Sequence, residues 1–292
     1  MRKTNITLLT FVIIFLLSNT TIVSSADLTG ARPLAMGGAF VGVADDANSV
    51  LWNPAGMKQF QESYFGANYR VDQYDNKLMG NILVIRSRAN NGARYLDWGF
   101  GTSKNSEIIN SVEYQRTSYV VALADQYTRN IAIGVSGKHI TEESNDFGSG
   151  NNFTLDAGLL LKFGKIFNIG IVGYNLTDPS LRSFSRKLQG GVAIKLSDFI
   201  KLAADGAKMY SDNYSSSDIN YNLGVELSLV EAIALRGGYS EEKIYKNRYV
   251  SGGVGLTTSN AIIEYTYYNG LNDKVDNRHI FSLTFVFGPA KK

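Results

Sequence analysis

Residues 219–229 read INYNLGVELSL, and every second position from Ile219 is apolar: Ile219, Tyr221, Leu223, Val225, Leu227 and Leu229. The residues between them are Asn220, Asn222, Gly224, Glu226 and Ser228. A helix repeats every 3.6 residues and would scatter these two sets, whereas a strand sends them to opposite faces. The same parity separates Phe153, Leu155, Ala157, Leu159 and Leu161 from Thr154, Asp156, Gly158 and Lys162, with Leu160 as the exception. It returns where Phe281, Leu283, Phe285 and Phe287 alternate with Ser282, Thr284 and Val286.

Extending the criterion outward marks about fourteen segments, near 62–72, 76–87, 93–102, 112–124, 129–141, 152–163, 166–176, 187–196, 199–210, 218–229, 232–241, 247–257, 260–269 and 278–288. An even count suits an antiparallel sheet closed into a membrane barrel with both chain ends on one side. From the third segment onward the connections alternate. Short turns fall at 164–165, 197–198, 230–231 and 258–259, and longer polar loops such as TEESNDFGSGN and NGLNDKVDN fall between them. The expected fold is an all-β transmembrane antiparallel barrel over residues 61–292.

Composition agrees, with 29 Gly, 17 Tyr and 15 Phe against 4 Pro. Tyrosine and phenylalanine fit pleated surfaces and gather where lipid meets water. At the front, Arg2 and Lys3 precede an apolar run from Ile6 to Leu17 and a polar stretch up to Ala26. That order predicts a secretory signal over 1–26, since a dozen apolar residues are too few for a bilayer helix of about 20. The expected destination is the bacterial outer membrane, with its lipid as surroundings. The net charge of +3 falls to +1 without Arg2 and Lys3, so no global field draws nucleic acid. The absence of cysteine removes disulfides, thiol catalysis and thiolate metal sites.

Residues 27–60 break the alternation, with a helical turn expected near Asp46–Trp52 and Pro54 stopping it. Exposed, Val41, Val43, Val50, Leu51 and Trp52 would cost about 25 cal/mol per Å² of apolar surface, so the segment is expected inside the barrel as a plug. Asn53-Pro54-Ala55 reads as a hinge or gate of that plug, Asn53 capping the preceding turn or bonding to the wall, or as plain helix termination. The pair Asp45-Asp46 suits helix N-capping better than calcium, which needs six to eight spaced oxygens.

On the strand parities the lumen receives Asp156, Lys162, Lys201, Asp205, Glu226, Arg236 and Glu264. Facing lipid, a basic member would cost about 2–4 kcal/mol near the midplane. Such a set forms a polar conduit, a network gripping the plug, or a mutually neutralised interior. The two imidazoles, His139 and His279, fall on the lipid-facing parity near strand ends, and neither brings a nucleophile and an orienter within reach. The expectation is therefore no enzyme, no metal and no cofactor.

The stretch GARPLAMGGAFVGVADDANSVLWNPAGM resembles the start of the mature region in the FadL and PorV/PorQ-like outer-membrane proteins. Later pieces, among them FTLDAGLLLKFGKIFNIGIVGYNLTDP and HIFSLTFVFG, are similar to the PorV/PorQ side of that group. The resemblance implies a fourteen-stranded barrel with the NPA segment, here Asn53, Pro54 and Ala55, in a plug. It implies two functions that differ in kind. FadL members pass fatty acids and other hydrophobic molecules, whereas PorV members serve type IX protein secretion by holding cargo at the surface. The reading taken from it is passive uptake of small hydrophobic molecules, with a surface component that binds secreted proteins through its loops as the alternative.

Overall fold

The computed structural model describes residues 30–72, 78–86, 96–109, 112–144, 148–177, 186–210, 219–243, 246–271 and 277–288. The expected signal over 1–26 lies outside them. The described chain opens with two short helices, α1 (Ala31–Ala35) and α2 (Ser49–Trp52), and a 3-10 helix, Pro54–Gln59. The strands follow as β1 (Ser63–Asp72), β2 (Leu78–Arg86), β3 (Asp97–Ile109), β4 (Val112–Thr128), β5 (Ile131–Ser144), β6 (Gly148–Phe163) and β7 (Phe167–Tyr174). The second half comprises β8 (Arg186–Lys195), β9 (Ile200–Tyr210), β10 (Ile219–Val230), β11 (Ile233–Glu242), β12 (Asn247–Thr257), β13 (Ala261–Gly270) and β14 (Arg278–Phe287). Each strand pairs antiparallel with the next, and β1 pairs with β14 from Ser63↔Phe287 to Asp72↔Arg278, which closes the sheet.

Consecutive side chains diverge as the pattern requires. Leu223 is 53% exposed, whereas Asn222 and Glu226 are 8% and 6% exposed. Leu155, Ile133, Val135, Leu235 and Phe281 share the outer surface with Leu223. An apolar belt this continuous is a surface for hydrocarbon and not for water.

Two regions differ from the sequence reading. The polar residues 142–144 and 148–151, expected as loop, are strand, paired from Glu142↔Gly150 to Ser144↔Gly148. β3 likewise runs to Ile109 where the apolar pattern ends near 102. Both extensions lie at the end of the barrel away from the short turns. A hairpin projecting beyond the hydrocarbon keeps its backbone ladder but needs no apolar face, so polarity stopped marking strand there.

Residues 31–57 are almost wholly buried, and their neighbours are inner-wall residues of many strands. α1 packs against β11–β14, and the 3-10 helix against β3–β6. The segment therefore crosses the interior. It comes close to the wall at inward-facing glycines, with backbone over Gly134 (Pro54–Ala55), Gly170 (Val41), Gly224 (Met36) and Gly238 (Met36–Gly37), and with side chains over Gly158 (Asn53, Pro54) and Gly253 (Ala35). Gly37 and Gly38 themselves turn with φ of 65° and 82°, the left-handed region that glycine enters at little cost.

This seat makes a sharp comparison possible. A Cβ on Gly134 would press into the backbone of Pro54 and Ala55, whereas one on outward-facing Gly190 meets nothing nearer than 4.0 Å. Gly134→Ala is expected to cost about 1–3 kcal/mol through overpacking and Gly190→Ala close to nothing. Loss of the heat-modifiable folded band on gels, followed against temperature, is the measurement. Equal midpoints for the two variants would contradict the seat.

Candidate functional site: the segment inside the barrel and the polar inner wall

The largest apolar contact between segment and wall lies on β2 and β4. Met36, Phe40, Val50, Leu51, Trp52 and Met57 form a cluster with Leu83 of β2 and with Val120, Ala122 and Ala124 of β4. Ala193 and Ala203 join it from β8 and β9. Phe40 and Trp52 meet edge to face at 5.8 Å. Smaller apolar contacts lie on β12–β14, where Leu34 meets Tyr249, Tyr268 and Ile280, and on β7, where Val41 meets Val172 and Tyr174, and hydrogen bonds and ion pairs hold the segment between these contacts.

The segment's backbone bonds to itself through successive turns, and wall side chains reach backbone groups that those turns leave over. The Ala31 amide donates to Ser282 Oγ (2.9 Å), and Thr266 Oγ1 donates to the Ala31 carbonyl (2.7 Å). Ser251 Oγ donates to the Ala35 carbonyl (3.0 Å), and Asn222 Nδ2 to that of Gly38 (3.2 Å). The Tyr174 hydroxyl donates to the Trp52 carbonyl. Asn53 Nδ2 donates to the carbonyls of Val41 (2.9 Å) and of Leu159 on the wall (3.3 Å). Its Oδ1 accepts from the Ala55 amide (3.1 Å), so Asn53 caps the turn that follows it, and Pro54 occupies the first helical position there. Ala55 itself is buried against Ala132 and Leu160.

Asp205, 4% exposed on β9, holds the elbow of the segment. One of its oxygens, Oδ2, accepts from the amides of Phe40 (2.9 Å) and Val41 (3.0 Å) and from Gln189 Nε2 (3.0 Å).

At the short-turn end lies an ion network centred on Arg32. Its guanidinium donates to both oxygens of Glu226 (2.6 and 2.9 Å), to Asp45 (2.6 Å) and to Asp46 (2.9 Å). Lys201 adds contacts to Asp45 (2.7 Å) and Glu226 (3.4 Å). Arg236 joins Glu226 (2.7 Å) to Glu264 (2.9 Å). Four of the seven residues expected in the lumen, Lys201, Glu226, Arg236 and Glu264, therefore meet in one network. The other three stand apart. Asp205 is at the elbow, Asp156 pairs with Lys138 (2.9 Å) and accepts from the Asn175 amide (2.8 Å), and Lys162 donates to the Lys58 carbonyl (3.2 Å).

Sequence reasoning missed Arg32, Lys58 and Lys138. Lys138 was legible from parity, because it alternates with the outward-facing His139. Arg32 and Lys58, which pairs with Asp97 (3.0 Å), sit in a segment with no period to read. The Asp45-Asp46 pair serves Arg32 first. Asp46 also accepts from the Asn48 amide (2.8 Å) at the approach to α2, and the Asn48 side chain makes no capping bond there. Among the described residues no group of His, Asp or Glu is arranged to hold a metal ion. His139 is exposed on the outer surface, and His279 Nδ1 is 2.9 Å from the Tyr265 hydroxyl.

Burial pushes the Asp45 carboxyl up, but Arg32 and Lys201 outweigh it and hold it at about 2, against 3.8 unperturbed. A folded value below the unfolded one stabilises above the unfolded value and is lost as pH falls through the folded one. The segment is therefore expected to resist pepsin at pH 4 and to become cleavable as pH approaches 2. Cleavage of residues 30–57 at equal rates across that range would contradict the assignment.

No family model and no curated protein sequence matches the chain. Solved structures do. The Pseudomonas putida toluene transporter TodX superposes with a TM-score of 0.69 at 12% identity, covering 91% of this chain and 98% of that one. The Ralstonia pickettii toluene transporter TbuX gives 0.67 at 12% identity, covering 90% and 98%. A Pseudomonas aeruginosa FadL homologue gives 0.63 at 9% identity, covering 92% and 98%. Identities this low speak to architecture, and the architecture of this chain is that of the FadL-type barrels.

Proposed function

We propose that the chain is an outer-membrane barrel through which small hydrophobic molecules pass passively, with residues 27–60 as its plug and residues 1–26 as a cleaved export signal. The observation that carries the reading is the apolar arc of inner wall on β2–β4. The segment packs on Leu83, Val120, Ala122 and Ala124, so moving it would uncover apolar wall inside the lumen. The fold shared with two toluene transporters supports a cargo of that chemical kind. Asp156, Lys162, Lys201, Asp205, Glu226, Arg236 and Glu264 then work as the polar grip on the plug, and Asn53-Pro54-Ala55 as its pivot against β5 and β6. Catalysis has no part in this reading. The structural comparisons lend nothing to the protein-secretion alternative.

The test is a liposome flux assay with toluene and with a long-chain fatty acid, comparing the intact chain with one lacking residues 27–60. Flux in the shortened chain well above that of the intact one is expected. Absence of flux in either, with both folded by heat-modifiable migration, rejects the transporter.

A further inference from the structure

A groove of about 550 Å³ lies on the outer wall of the barrel, behind the stretch where Gly224 and Gly238 meet Met36 and Gly37 from inside. Val192, Ala204, Leu223 and Tyr239 cross it as one row of paired residues on β8, β9, β10 and β11, and Ile194 and Leu202 continue it toward the short turns. All are outward-facing. The sheet is closed, so there is no edge onto which another chain could add a strand. Whatever fills the groove does so with side contacts alone.

The wall above the groove, toward the loops, changes character. One step up the rows comes Tyr221 beside Glu241 and Arg248, then Lys208, then Arg186 beside Tyr210. At about 3.3 Å per residue, Lys208 stands roughly 13 Å along the strand from Ala204. Lys208 lies 5.5 Å from the Tyr210 ring centroid, and Arg248 is exposed. Glu241, the carboxylate of this row, is paired to Lys243 (2.9 Å). Tyrosines gather at the level of lipid headgroups, where an outward cation costs only about 0–1 kcal/mol. The face is thus basic at headgroup level and concave and apolar directly below.

We propose that the outer wall over β8–β12 binds a diphosphorylated glycolipid of the leaflet at the loop end. Its acyl chains lie in the groove, and its phosphates meet Lys208, Arg248 and Arg186. The inference rests on the chain spanning a membrane but not on its transporting anything. Charge complementarity selects the occupant, because the cations stand on β8, β9 and β12, set apart across the face, and suit two separated phosphates better than a single one.

Native mass spectrometry of the detergent-solubilised, folded chain tests this, with equal amounts of diphosphoryl lipid A and phosphatidylethanolamine added. The unmodified chain is expected to retain lipid A at least several-fold over phosphatidylethanolamine. Lys208→Glu with Arg248→Glu is expected to remove that preference. Ala204→Phe, which fills the groove without touching a charge, is expected to reduce retention of lipid A as well. Heat-modifiable migration shows that each variant is folded, and flux in the liposome assay is expected to be unchanged. No preference in the unmodified chain, retention of lipid A undiminished in both variants, or a second copy of the chain in place of lipid overturns the proposal.

Discussion

In Asp205→Ala the segment is expected to lose its hold at the elbow while the wall stays intact. The carboxylate is the acceptor for two consecutive amides, those of Phe40 and Val41, and for Gln189. A buried donor left without an acceptor costs about 1–3 kcal/mol, so two of them together cost about 2–6 kcal/mol. The loss falls on the contact between segment and β9 and not on the strand ladders, because the backbone pairing of Asp205 with Gly191 and Asn222 does not use its side chain. Limited proteolysis of the folded protein is expected to cut within residues 30–57 at a rate at least tenfold above the unmodified chain, with residues 63–288 protected. The effect on Asp205→Asn is expected to be smaller, since an amide oxygen still accepts. Identical digestion of Asp205→Ala and the unmodified chain would remove Asp205 from the account of how the segment is held.

Arg32→Ala is expected to be at least as damaging, and for a different reason. The guanidinium is the common partner of Glu226, Asp45 and Asp46, with its side chain only 11% exposed. Deleting it leaves three carboxylates facing one another with Lys201 and Arg236 as the remaining cations of the network. Removing one partner of a buried pair costs about 3–5 kcal/mol, because the other charge stays behind without compensation. Arg32→Lys recovers little, since one ammonium does not reproduce the forked contact to Glu226. Adding Glu226→Gln to Arg32→Ala is expected to restore part of the loss, as the double change removes both charges. The readouts are protease resistance of residues 30–57 and, under the transport reading, a rise in basal flux. A double variant no better than Arg32→Ala would show that the pair is not coupled.

The barrel was readable because its rule is local. Residues 219–229 and 281–287 declare their two faces without reference to anything else in the chain, and hydrocarbon outside the wall enforces the declaration at each outward position. The rule fails where its cause fails. Glu142, Glu143 and Ser144 are strand residues with no hydrocarbon beside them, so nothing in their order distinguishes them from loop. The site was legible by half. Parity gave the inward carboxylates and lysines of the wall, but Arg32 and Lys58 have no parity. Their partners follow from the azimuth at which each piece of the segment meets the wall, and that depends on the whole circuit of strand registers. The inward glycines carry the same lesson, because Gly134 and Gly190 look alike in sequence and only one of them faces a backbone.

The chain's first described residues also bind its last. The Ala31 amide and carbonyl are held by Ser282 and Thr266, more than two hundred positions later, while Asn53 and Ala55 settle on strands near the middle of the chain. During synthesis and export the leading end must therefore wait, its partners unmade, until the final hairpin arrives. Correct docking of Ala31 reports that the cylinder has been finished, and a chain truncated before β14 would have no means of recording that event.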